Sequence, residues 1–372
     1  AGRSAAAPVV GVVGRTRRPA AGRVLLFVGG LQRSGTTTLA NWLAQLLDGA
    51  SMQDLAHLPP ADYDAVVSAV CRWRNKPKSY FRDVLRSGGL EGKFVQNVYP
   101  YTYMLKDYGP HGLRRIALNE TSSLATPDNA ARLMQQWGAF WNASSRIWIE
   151  KSPENVVQAR FLQGLLEAPR RTTAFLFVLR HPLAWALAVD KWLVNKWNRR
   201  STTAIRATAA RIAMWLDVSQ TMVDDLPHLR RALVVHAETL VGTASNFPER
   251  LAELVGAPPP PAVLMTPFAA YGRSNALYVS CWLRGAKLAK SKRSCVVDAE
   301  APNATAHARR RELAAIRARH EARLNSFGYS LFLGDDAAAS PGGDDRTPFG
   351  GLNSGLRFDR VQPRLRPYVV SS

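Results

Sequence analysis

The chain has 372 residues, 47% of them hydrophobic, enough to bury a substantial core and to build one large α/β domain with decorations. Its longest apolar runs, VLLFVGGL and TTAFLFVL, stop short of the roughly 18 to 20 residues a membrane-crossing helix takes. Lys and Arg outnumber Asp and Glu by 49 to 28; the resulting charge of +21 favours anionic partners, although a solvated Arg-rich surface explains it equally well.

In chain order, residues 1–22 are rich in Ala, Gly, Pro and Arg and read as a flexible leader or the remnant of a trimmed stem, leaving room for a membrane tether upstream of Ala1. A domain is expected over 23–334. VLLFV, RIWI, FLFVL and ALVV are continuous apolar runs of the kind buried on both faces of a parallel sheet. Helical patterns lie between them: Leu39, Trp42, Leu43, Leu46 and Leu47 after the first run, and LAWALAVDKWLVNKW after the third. Residues 50–90, mixed in charge and rich in prolines and aromatics, read as an insertion capping the acceptor side. APPPPAV, at 257–263, breaks any helix ending there, and a basic helix follows around ARRRELAAIRARHEARL. Residues 335–372 are turn-rich and read as an extended or disordered tail. This alternation predicts an α/β fold, P-loop-like, with a central parallel sheet flanked by helices.

Three cysteines, Cys71, Cys281 and Cys295, are too few for a disulfide-built scaffold and lack zinc-site spacing, and no metal is expected. Cys281 and Cys295 bracket a basic stretch carrying Arg284, Lys287, Lys290, Lys292 and Arg293; a bridge would hold that stretch together, and two free thiols are the alternative. Sequons at Asn119, Asn142 and Asn303 fit a secretory lumen or chance.

The densest chemistry lies in VLLFVGGLQRSGTTTLANWL. A buried strand ends at Gly29-Gly30, a tight turn follows, and a helix begins near Thr36, so backbone N–H groups and a helix dipole converge on one anion. Gly30 and Gly35 have the spacing of a Walker A loop, but Thr36 stands where the triphosphate-binding lysine belongs. The basic residue is Arg33 instead, with hydroxyls at Ser34, Thr36, Thr37 and Thr38. That argues against a kinase and for a single terminal phosphate.

This loop resembles the 5′-phosphosulfate loop of sulfotransferases, and GGLQRSGTTTL is especially similar to the tyrosylprotein form, G-G-x-x-R-S-G-T-T-L, with one extra Thr. FLFVLRHPLAWALAVDKW looks like the family's 3′-phosphate motif, with Arg180 in place and Ala188 where a Ser is usual. VVHAETLV, NALYVSCW, EKSPENVVQARFLQGL and EGKFVQNVYP are looser islands of similarity, and the Cys-bounded basic stretch is similar to a loop that heparan-type enzymes place near the 3′-phosphate. The resemblance implies a donor, 3′-phosphoadenosine 5′-phosphosulfate (PAPS, leaving PAP), held by Arg33, Ser34, Gly35, Thr36, Thr37, Thr38, Arg180 and Arg284. It further implies a Golgi or secretory-pathway location.

Sulfuryl transfer asks a protein to align donor and acceptor and to neutralise charge on the leaving oxygen, a role for the permanent charge of Arg33. A base must take the acceptor proton, and the resemblance implies a glutamate some way beyond the loop; Glu91 is the first candidate, with Asp54, His57 and Glu120 behind it. Lys151 and Ser152, after RIWI, sit where α/β sheets gather ligands. The expected acceptor is a hydroxyl, foremost on a glycan and otherwise on a protein tyrosine, with no specific nucleic-acid partner. The competing non-enzyme reading is a polyanion-binding protein that uses the basic helix.

Overall fold

A computed structural model describes residues 22–52, 59–74, 77, 79, 90–100, 103–108, 113, 116–196, 207–241, 246–260, 269–288, 295–296, 302–331 and 362–369. The four apolar runs become β1 (Arg23–Gly30), β3 (Ile147–Lys151), β4 (Arg171–Leu179) and β5 (Ala232–His236). With a two-residue strand, β2 (Ala50–Ser51), they form one sheet in the order β2-β3-β1-β4-β5, every pair parallel.

Both faces of the sheet are covered, which is why the strands show no polar alternation. Val24, Leu26 and Val28 pack with Leu39, Trp42 and Leu43 of α1 (Thr36–Leu46) and with Phe247 and Leu251 of α8 (Phe247–Val255). On the other face Leu25 and Phe27 meet Trp137, Phe161, Trp185 and Trp215. These come from α4 (Pro127–Gly138), α5 (Ala159–Leu166), α6 (Pro182–Lys196) and α7 (Thr208–Asp225). Before them lie α2 (Pro60–Arg74) and the single turn α3 (Met104–Asp107); after them come α9 (Ala269–Leu283), a small hairpin of β6 (Lys287–Leu288) and β7 (Cys295–Val296), and α10 (Pro302–Asn325).

β1 is the middle strand, with β3 on one side and β4 on the other. The connections diverge beyond its carboxyl end, the place where sheets of this kind gather ligands.

Two boundaries differ from the sequence reading. The segment 50–90 is not wholly an insertion, because Ala50 and Ser51 pair with Trp148 and Ile149 as the sheet's edge; two residues are too few to show a period. The tail 335–372 is not uniformly extended either. Gln362 N–H bonds to Ser326 O at 2.9 Å, Leu365 is fully buried, and Val369 pairs in parallel with Val234 of β5. Its Gly- and Asp-rich opening hides two later apolar residues with places to dock, Leu365 in the core and Val369 at the edge of β5. The leader, Gly22 apart, lies outside the described residues.

Cys281 and Cys295 form a disulfide that closes the hairpin base on α9. With the cysteines 14 positions apart in sequence, replacing both by serine should lower unfolding free energy by about 3 kcal/mol, measured by chemical denaturation against the oxidised protein.

Candidate active site

β1 stops at Gly30, whose φ of +149° is closed to most side chains; a Cβ there would lie 2.6 Å from the Val178 carbonyl oxygen. The turn that follows puts Arg33 at φ +74° and ends on Gly35, left-handed at φ +100°, the residue before α1. No side chain caps α1, so its first N–H groups, which have no intrahelical acceptor, face the turn with the positive end of the helix dipole. The turn's carbonyls are drawn the other way. Trp185 Nε1 donates to Gln32 O at 2.8 Å, and an Arg180 guanidinium nitrogen donates to Arg33 O at 2.6 Å. Ser34 is buried, yet its Oγ finds no hydrogen-bond partner among the described residues. Thr36 is buried, Thr37 and Thr38 are half-buried, and the Arg33 side chain is exposed.

Arg180 follows β4 directly and is only 4% exposed. Its Nε donates to Asn275 Oδ1 on α9 at 2.7 Å, and Asn275 Nδ2 donates to Glu238 Oε1 at 2.7 Å. The same carboxylate accepts His181 N–H at 2.9 Å and Tyr329 O–H at 2.8 Å. Burial pushes the Glu238 carboxyl up from its ordinary range. It also pushes His181 and His236 down to about 4, so both rings are neutral, and each places Nε2 against a backbone carbonyl, Ser330 O and Phe327 O respectively. Arg33 and Arg180, 147 residues apart in sequence, thus meet through one hydrogen bond.

On the other side of the turn lies a compact group of charges. Glu91, 13% exposed, receives Lys151 Nζ on one oxygen and Lys93 Nζ on the other, both at 2.8 Å. Lys93 reaches on to Glu154 at 2.5 Å and sits over the Tyr103 ring at 4.5 Å. Glu154 in turn accepts Gln32 Nε2 at 2.6 Å, which joins the group to the turn. Burial alone would raise the Glu91 carboxyl, but Lys151 and Lys93 outweigh it and hold the carboxyl below its ordinary range. Glu150 and Glu154 are pushed up, burial being the largest cause. Glu150 accepts from Gly92 N–H at 2.7 Å and Ser152 Oγ at 2.6 Å; a Cβ on Gly92 would lie 2.7 Å from Glu150 Oε1, so the close approach requires glycine.

Residues 26–261 match the model described as the sulfotransferase family, which is well over half of the chain. The chain belongs to that family. A solved structure of a sulfotransferase domain from the curacin biosynthetic pathway is similar at 14% identity and a TM-score of 0.31, over 66% of this chain and 77% of that one. No curated protein matches.

Of the residues this sulfotransferase was expected to use, Arg33, Ser34, Gly35, Thr36, Thr37 and Thr38 share the turn, Arg180 abuts it, and Glu91 is joined to it through Lys93, Glu154 and Gln32. Arg284 stands apart, exposed just past α9 and about 13 Å along the helix axis from Asn275. Glu120 is exposed and paired with Arg160. Asp54, His57 and the basic residues Lys290, Lys292 and Arg293 lie outside the described residues. Ala188 is buried inside α6, where the usual Ser would stand.

Lys93, Glu154, Glu150, Glu238 and Tyr329 received no role from the sequence. A signal existed for the first three: EGKF and IEKSPEN put five charges directly against buried apolar runs, where unpaired charge is costly. Lys93 and Lys151 pair with Glu91 and Glu154, while Glu150 is satisfied by the neutral donors Gly92 N–H, Ser152 and Asn155.

Proposed function

We propose that this sulfotransferase takes PAPS as donor and passes its sulfuryl group to a hydroxyl acceptor, foremost on a glycan. Ser34 carries the reading. A buried hydroxyl without a partner costs about 1–3 kcal/mol, and here it lies beside an uncapped helix start. A terminal phosphate is the ligand chemistry that satisfies hydroxyl, amides and dipole together. When bound, the donor supplies an activated sulfuryl group on a phosphate leaving group. The chain's part is to hold that end with Ser34, Gly35, Thr36, Thr37 and Thr38, to offset developing charge with Arg33, and to steady the opposite phosphate with Arg180.

Glu91 is the base in this reading. Its carboxylate is ionised at neutral pH, and Lys151 and Lys93 fix both oxygens. Taking a proton from the acceptor weakens both pairings. Lys93 then keeps Glu154, and the ammonium of Lys151 is left to stabilise negative charge in the site.

A glycan suits the +21 charge, since many polysaccharides are already anionic. The Cys281–Cys295 bridge and the exposed sequon residues Asn119 and Asn142 support a secretory lumen such as the Golgi. The tyrosylprotein-like GGLQRSGTTTL keeps a protein tyrosine as the second reading.

Titration calorimetry with PAP tests the donor. Stoichiometric binding is expected, and radiolabelled donor should then mark glycans in an acceptor screen. Tight binding of heparin or DNA with none of PAP overturns the proposal in favour of a polyanion-binding protein; label on tyrosine alone moves the acceptor.

A further inference from the structure

Resting on the reading that Arg180 holds the donor, we infer that Glu238 and Asn275 are positioning residues for Arg180, and that α9 and the turn after α10, both beyond the family match, complete the donor site. Asn275 presents an oxygen and an amide nitrogen that differ in charge sign but hardly in shape. Arg180 Nε needs the oxygen, and the 2.7 Å contact supplies it. Nothing in the Arg180–Asn275 contact alone prevents the amide from rotating and setting its NH2 against the guanidinium. Glu238 does prevent it, because its Oε1 accepts Asn275 Nδ2 at 2.7 Å and so fixes which end faces Arg180.

Glu238 is itself held on three sides. His181 N–H, next in the chain to Arg180, donates to the same oxygen, while Tyr329 O–H donates to Oε2. Tyr329 belongs to the turn that follows α10, and that turn is pinned by His181 at Ser330 O and by His236 at Phe327 O. The relay therefore runs from Tyr329 through Glu238 and Asn275 to Arg180, and from Arg180 to the carbonyl of Arg33. The family match ends at residue 261, so Asn275 and Tyr329 both come from chain outside it.

Affinity for PAP, measured by calorimetry on the full chain, tests the relay. Asn275→Ala and Glu238→Ala should each weaken PAP binding roughly tenfold or more and raise the donor KM with the acceptor KM unmoved. Glu238→Gln, whose side-chain oxygen can still accept from Asn275 and His181, should stay within about threefold of the parent. In an Arg180→Ala background, Asn275→Ala should cost little further affinity, because the group it positions is gone. The same loss in both backgrounds makes Asn275 merely structural and overturns the inference, as do alanine variants that bind PAP normally while Arg180→Ala does not. Should the alanine variants fail to fold, Glu238→Gln and Tyr329→Phe decide: a Glu238→Gln variant that folds yet binds PAP as weakly as Arg180→Ala refutes the amide-orienting role, and Tyr329→Phe should weaken binding by severalfold. Normal PAP binding by Arg180→Ala refutes the underlying reading of Arg180 instead.

Discussion

Arg33→Ala should lower kcat about a hundred- to a thousandfold, the scale on which removing one transition-state donor acts, with the fold intact. The side chain is exposed at the tip of the turn and holds no part of the core. What the fold uses at this position is the backbone: its carbonyl receives Arg180, and its φ of +74° lets the turn close on α1. Arg33→Gly separates the two contributions. Glycine takes a left-handed φ without the ~1–2 kcal/mol cost borne by other residues, so its melting temperature should match or exceed the parent's. Activity should fall as far as in the alanine variant. Turnover near the parent's in either variant removes Arg33 from the chemistry.

Glu91→Gln should lower turnover by roughly two to four orders of magnitude with PAP affinity unchanged. The amide is nearly isosteric and can still accept from one lysine, and Lys93 keeps its contact with Glu154, so packing survives. What goes is the site for the acceptor's proton. The pH dependence carries a sign as well. Lys151 and Lys93 depress the folded-state carboxyl, so the ionised, competent form persists as pH falls and is lost only below the ordinary glutamate range. The acidic limb of kcat/KM is thus expected lower than for an unpaired glutamate, and Lys151→Met should move it upward. Normal turnover in Glu91→Gln hands the role to another group.

The sheet was legible because each long strand is buried on both faces and spells out an unbroken apolar run, and the turn after β1 because glycine, arginine and hydroxyl residues have few other reasons to stand in that order. Arg180 was legible for the same reason, as the first polar residue past β4. The wiring behind these residues was not. That Asn275 turns its oxygen to Arg180 depends on Glu238, and that Lys93 bridges Glu91 and Glu154 depends on a 3₁₀ turn at 92–95 packing against the end of β3. Lys93–Glu91 apart, these pairings join residues 37 to 95 positions apart, and local periodicity carries no record of them. The two-residue β2 and the docked stretch at 362–369 escaped for a related reason: each is recognisable only by the neighbour it pairs with.

Val369 lies well over a hundred residues downstream of its partner Val234. During synthesis, the edge of β5 at Val234 lacks that partner until residue 369 emerges. Until then the backbone groups at that point are open to pairing with another chain, the hazard of any bare sheet edge.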